Sequence, residues 1–154
     1  MSGLVTLALC VCAIWVSYTD LSRKEVPDTA VYLIALTALV VLHLRPETVA
    51  RHHFLAAAIL FLCLWSAGEL YYRWTGVDGL GMGDAKLLGA GTLLLGPLKV
   101  PDLLLLSCIG GIVACLVFGW RTGKMPEGIP FGPFISYAIL ICYFQEPLFL
   151  SAYS

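Results

Sequence analysis

A chain of 154 residues is long enough for one compact domain, taken here as residues 1–154, and too short for two of ordinary size. With 60% hydrophobic and only 12% charged residues it carries about half the charged fraction of a soluble domain, which indicates an integral, all-α polytopic membrane protein. A formal net charge of −1, with no basic run and no interleaving of aromatic and basic residues, gives no footprint for nucleic-acid binding.

The first segment, Gly3 to Tyr18, is almost wholly apolar. A secretory signal would begin with basic residues, yet the first Arg or Lys is Arg23, so the segment is expected to stay as a transmembrane helix. About 20 residues cross the hydrocarbon, and a helix continuing to Thr19 or Asp20 reaches the far interface. The polar connection Asp20 to Asp28 follows. Pro27 disfavours helix at Val26, while Asp28 or Thr29 is placed to cap a second helix from about Thr29 to Leu44, which gives Asp28 a structural role. After a loop from Arg45 to His53, a third helix is expected from Phe54 to Tyr72. Glu69 and Arg73, four apart at its end, suit a modest ion pair.

The stretch Asp78-Gly79-Leu80-Gly81-Met82-Gly83-Asp84-Ala85-Lys86-Leu87-Leu88 places an acid among glycines directly before a new apolar run. An aspartate at the mouth of a membrane helix must have its charge solvated, which marks it as a functional-site candidate, although a helix N-cap is the plainer reading. A fourth helix from Asp84 to about Leu95 stops before Gly96-Pro97. It is short for a span, so it is either tilted in a thinned or hydrated zone or extends beyond these bounds. Ala85, Gly89 and Gly91 suit close interhelical packing. Pro101 and Asp102 open a fifth helix that carries Gly110, Gly111 and Ala114 and ends near Trp120. A loop through Pro130-Phe131-Gly132-Pro133 leads to a sixth, about Phe134 to Phe144, with Pro147 kinking or ending it.

The cysteines all fall in these apolar segments without a Cys-x-x-Cys pair, and the three histidines lie in or near loops, so neither a metal nor a cofactor is expected. Six spans put both termini on one side. Connections one, three and five with their flanks hold Arg23, Lys24, Arg73, Lys86, Arg121 and Lys124, against Arg45, Arg51 and Lys99 opposite, which predicts cytoplasmic odd-numbered connections and external termini.

That topology brings Asp20 and Asp84 to one membrane face. Two carboxylates brought together cannot both ionise cheaply, so the pair would hold one proton near neutral pH, as an aspartyl peptidase requires. The ionised member takes a proton from water attacking the amide carbonyl, and the protonated member donates to the carbonyl oxygen and then assists amine departure. Gly81 and Gly83 allow unusual backbone angles and close approach of a substrate strand or a neighbouring helix.

With these residues in hand the chain resembles the prepilin peptidases, the bacterial branch of the GxGD intramembrane aspartyl peptidases. Gly81-Met82-Gly83-Asp84 is the GxGD element, flanked by Asp78-Gly79 and by Ala85-Lys86-Leu87-Leu88-Gly89-Ala90. Asp20 followed by Val26-Pro27-Asp28 resembles the first catalytic motif, and Pro130-Phe131-Gly132-Pro133-Phe134 a third signature. The resemblance implies that Asp20 and Asp84 are the catalytic pair. It makes Gly81, Gly83, Asp78, Lys86, Pro130, Phe131, Gly132 and Pro133 motif-supporting or substrate-binding positions.

It further implies a multi-pass protein of the bacterial inner membrane, in contact with lipid. The implied substrate is a type IV prepilin or pseudopilin with a short basic leader before a hydrophobic helix, cleaved at the cytoplasmic boundary, typically after glycine. Larger members carry a cytoplasmic domain with paired Cys-x-x-Cys motifs, associated with methylation of the new N-terminus. The chain lacks those cysteines and resembles a minimal, peptidase-only form. Two other readings stand beside this one: a GxGD peptidase with other membrane-protein substrates, and a non-catalytic assembly or transport subunit whose acids line a polar path.

Overall fold

A computed structural model describes residues 2–23, 25–44, 50–77, 79, 81–122 and 130–145. Asp78, Lys24, Arg45, Lys124 and Pro147, each used in the sequence reading, lie outside the described residues. The described chain forms six helices: α1 (Ser2–Arg23), α2 (Asp28–Leu44), α3 (Ala50–Thr75), α4 (Met82–Leu95), α5 (Val100–Thr122) and α6 (Gly132–Phe144). A 3-10 turn, Pro97–Lys99, precedes α5, and among the described residues there is no strand.

All six expected helices are present, and most run past their expected bounds. α1 continues past Asp20 to Arg23, so Asp20 sits within the helix instead of ending it. The three residues before α2 include Pro27, whose ring fixes the backbone where the first connection turns. α3 extends to Thr75 and stops where Gly76 takes a φ of 70°, its N–H donating to the Tyr72 carbonyl at 2.8 Å.

Among the described residues three helices are long and apolar enough to cross a membrane: Gly3–Arg23, Ala50–Thr75 and Pro97–Arg121. α2 and α6 are shorter apolar helices. α4 has 14 residues, a length of about 21 Å at the helical rise, which falls short of the roughly 30 Å hydrocarbon core. It is also the element most enclosed by protein. Ala85, Leu87, Leu88, Gly89, Ala90, Gly91, Thr92 and Leu94 are all buried in it. α4 lies against α2, α3 and α6, while α1 packs on α6 and α2, and α5 on α6. Val16 of α1, Ile34 of α2, Leu87 of α4 and Ile135 and Ile139 of α6 fill the centre. A methyl at position 91 would lie 2.7 Å from the Ile139 side chain, so the small residue sets how closely α4 and α6 approach.

One end of the bundle is tied by backbone carbonyls. Lys99 Nζ donates to the carbonyls of Cys142 at 2.7 Å and Gln145 at 2.5 Å, satisfying acceptors that the end of α6 would leave open. His53 Nδ1 donates to the Leu93 carbonyl at 3.0 Å and fixes the start of α3 to the end of α4. The opposite end, where α1 finishes and α2, α4 and α6 begin, carries Asp20 and Asp84.

Candidate active site

Asp20 is 4% exposed, and its Oδ2 accepts the backbone N–H of Gly132 at 2.8 Å. Gly132 is the first residue of α6, where an N–H has no partner within the helix and is free to serve a side chain. Pro133 follows in the first turn, where its missing N–H costs nothing. Position 132 has no space for a side chain. A methyl there would lie 2.8 Å from Asp20 Oδ2 and 3.0 Å from both Val16 Cγ1 and Val26 Cγ2. Phe131, just before it, is half-buried against α5, and its ring centroid stands 6.4 Å from that of Phe134. Pro130 is half-buried as well.

Asp84 is the third residue of α4, so it does not cap the helix. Gly81 holds that position with an extended backbone, φ −61° and ψ 133°, and no side-chain cap. Neither Gly81 nor Gly83 has a positive φ, in contrast to the expected unusual angles. Both glycines instead provide space. A methyl on Gly81 would lie 3.2 Å from Asp84 Oδ2, and one on Gly83 would lie 2.8 Å from Val26 Cβ, so the α1–α2 connection passes directly over the start of α4. Asp84 Oδ1 is buried with no hydrogen-bond partner among the described residues. An acceptor left open in this way is costly unless something else fills it.

Asp20 and Asp84 line one cavity of about 330 Å³, together with Glu25, Val26, Asp28, Gly81, Met82, Gly83 and Lys86. The cavity thus presents two unequal carboxylates, one held by a backbone donor and one with an open buried oxygen.

Asp28 departs from its expected role. It opens α2, but the bond its carboxylate makes is to Lys86 Nζ, at 2.8 Å, joining α2 to α4 beside the acids. Both side chains are about half exposed, so the pair contributes on the order of 0–1 kcal/mol. Glu69 and Arg73 form the expected i,i+4 pair at 2.9 Å. Among the described residues no three His, Cys, Asp or Glu side chains converge as metal ligands.

Two participants were missed from sequence: Glu25 as a lining residue, and the Gly132 N–H as the donor to Asp20. The Gly-Pro pair opening a helix was the available signal for the second, since it leaves a free N–H at a helix start.

A profile of the type IV leader peptidase family matches residues 7–116, a stretch that includes Asp20, Asp28, Gly81 to Asp84 and Lys86. Proteins named prepilin leader peptidase/N-methyltransferase are similar along most of the chain. The one from Burkholderia pseudomallei is 29% identical over 152 residues, covering 97% of this chain and 49% of its own length. That from Legionella pneumophila is 32% identical over 151 residues, covering 91% and 50%. That from Pseudomonas aeruginosa is 31% identical over 126 residues, covering 79% and 42%. The chain spans about half the length of these curated relatives. No solved structure matches significantly. Its profile match and its relatives place the chain in the type IV leader peptidase family.

Proposed function

We propose that this chain is a membrane aspartyl endopeptidase that removes the basic leader from type IV prepilins or pseudopilins at the cytoplasmic boundary of the bacterial inner membrane. The observation that carries the reading is the shared cavity of Asp20 and Asp84. Family membership and the names of the relatives supply the substrate class. The excess of basic residues on the odd-numbered connections supports a cytoplasmic site.

The chemistry follows from two neighbouring carboxylates sharing one proton. The ionised acid accepts a proton from a water molecule as its oxygen bonds to the scissile carbonyl carbon, and the other acid donates its proton to the carbonyl oxygen. Collapse of the tetrahedral intermediate breaks the carbon–nitrogen bond while the first acid returns its proton to the departing amine. The second recovers a proton from the hydroxyl of the intermediate. Gly132 fixes the position of the Asp20 carboxylate, and Asp84 Oδ1, buried without a hydrogen-bond partner among the described residues, is the acceptor not yet engaged. Gly81, Gly83, Lys86 and the Pro130 to Pro133 segment hold these two groups in place.

The test is cleavage of a prepilin reporter in membranes. Asp20→Asn and Asp84→Asn should each lose activity by about a hundredfold or more, since each removes one half of the acid–base pair. Wild-type rates in either variant would rule out the dyad. Failure of the wild-type chain to cleave any prepilin would rule out the substrate class.

A further inference from the structure

Asp20 and Asp84 belong to separately tied pairs of helices. Asp20 on α1 is joined to the start of α6 by the Gly132 N–H at 2.8 Å. Asp84 on α4 stands two residues before Lys86, whose ammonium is joined at 2.8 Å to Asp28 at the start of α2. One side chain touches both pairs. A methyl on Gly83 would lie 2.8 Å from Val26 Cβ and 3.4 Å from its Cγ2, and a methyl on Gly132 would lie 3.0 Å from that same Cγ2. Val26 is therefore lodged between the residue that precedes Asp84 and the residue that donates to Asp20. It also lines the cavity that the two carboxylates share.

The lodged residue is stiff. Pro27 restricts the backbone of Val26 to extended conformations, and the branch at Cβ limits its χ1. The Pro27 carbonyl is held in turn by the N–H groups of Ala30 at 3.0 Å and Val31 at 3.4 Å, in the first turn of α2. Resting on the proposed function, we infer that Val26 is a positioning residue whose β-branch sets the separation of Asp20 and Asp84. The glycines at 83 and 132 leave room for that branch on both sides. Apolar anchoring of the connection makes a different demand, for bulk without regard to where the side chain branches.

Three variants of the full chain in membranes separate the two roles. Val26→Thr keeps the branch but replaces a methyl by a hydroxyl, at a cost to stability. Val26→Leu keeps the apolar character and moves the branch outward, and Val26→Ala keeps neither. Spacing predicts that Thr retains the most activity on a prepilin reporter, with kcat lowered no more than about threefold, while Leu and Ala lose about tenfold or more, as small misplacements of reacting groups do. The loss should fall on kcat, with KM changed by less than about twofold, since proton sharing is felt in the chemical step.

The pH profile gives a readout that a purely structural role would not move. Leu at 26 reaches further and should push the starts of α4 and α6 apart. The second carboxylate then loses its proton more easily, so the alkaline limb of kcat should move to lower pH. The other charged groups near the pair are Glu25, Asp28 and Lys86 in the same cavity, Arg23 three residues beyond Asp20, and the Glu69–Arg73 pair of α3 across Gly81 and Met82. The first turn of α6 has none, and all of them are unchanged across the series.

If Leu matches or exceeds Thr in kcat and its alkaline limb stays in place, Val26 is an apolar anchor and the inference is overturned while the peptidase function stands. Should the Leu variant fail to insert, Thr against Ala decides, and equal kcat in those two would overturn it as well. A wild-type chain that cleaves no reporter removes the parent function and this inference with it.

Discussion

The N–H of Gly132 reaches Asp20 Oδ2 at 2.8 Å across 112 residues of sequence, joining the start of α6 to the last turns of α1. A helix N-terminus is a natural site for a carboxylate, because its first N–H groups are unpaired and its dipole favours negative charge. The Pro130 to Pro133 segment thus acts on the site through one backbone donor and the absence of one side chain. In the proposed dyad Asp20 would need a fixed position to share a proton with Asp84, and the approach of α6 supplies such a constraint.

Gly132→Ala follows from this contact. The added methyl would sit 2.8 Å from Asp20 Oδ2, closer than such contacts tolerate, and must displace either the carboxylate or α6. Overpacking of this kind costs about 1–3 kcal/mol. The loss in kcat should exceed the loss in thermal stability, since the displaced group belongs to the proposed dyad. Reporter cleavage and thermal unfolding of the detergent-solubilised protein provide the two readings, and wild-type kcat in a folded variant would show that the donor does not matter.

The Asp28–Lys86 pair calls for a double-mutant cycle. Asp28→Asn should keep most activity, because an amide oxygen still accepts from Lys86 Nζ and Asn also serves at a helix start. Lys86→Met should cost a similar small amount, and the coupling between Asp28→Ala and Lys86→Met should be measurable, about 0.2–1 kcal/mol. Independent, additive effects would mean that Asp28 works by capping after all. A large loss of kcat in Asp28→Asn with the protein inserted would give the carboxylate a part in the chemistry.

Asp28 also shows where sequence reasoning reaches its limit. A proline followed by Asp before an apolar run has a local meaning, helix capping, and that meaning placed the start of α2 correctly to within a residue. The partner that engages the carboxylate lies 58 residues away, beyond any local rule. The glycines of the GxGD turn behave similarly. Their presence beside Asp84 was visible, but the reason for Gly83 is the side chain of Val26, which only packing brings there. Asp20 and Asp84 could be grouped because helix count and loop charge assign a membrane face to each. The Gly132 donor could not, since proximity within that face depends on how α1 and α6 pack.

The Gly83 contact predicts a rescue. Gly83→Ala places a methyl 2.8 Å from Val26 Cβ and pushes the α1–α2 connection away from α4. Activity should fall, and Val26→Ala in the same chain should restore part of it by removing the opposing branches. Reporter cleavage by the two single variants and the double variant gives the coupling. A double variant no better than Gly83→Ala would mean that the glycine is needed for something other than this close passage, such as space for substrate.

Lys99 provides the complementary case, a residue that should matter for stability and not for chemistry. Its ammonium donates to two carbonyls at the end of α6, the end remote from Asp20 and Asp84. Lys99→Met keeps much of the apolar stem but leaves those acceptors without their cation, at a cost of about 1–3 kcal/mol. Unfolding should move to lower temperature while kcat on the reporter at a permissive temperature stays at the wild-type value. The start of α6 is held separately, by the Phe131 carbonyl accepting from Phe134 and Ile135 and by Gly132 on Asp20. If kcat dropped in step with stability, the two ends of α6 would have to move as one rigid rod, and the position of Asp20 would depend on the whole helix and not on its first turn alone.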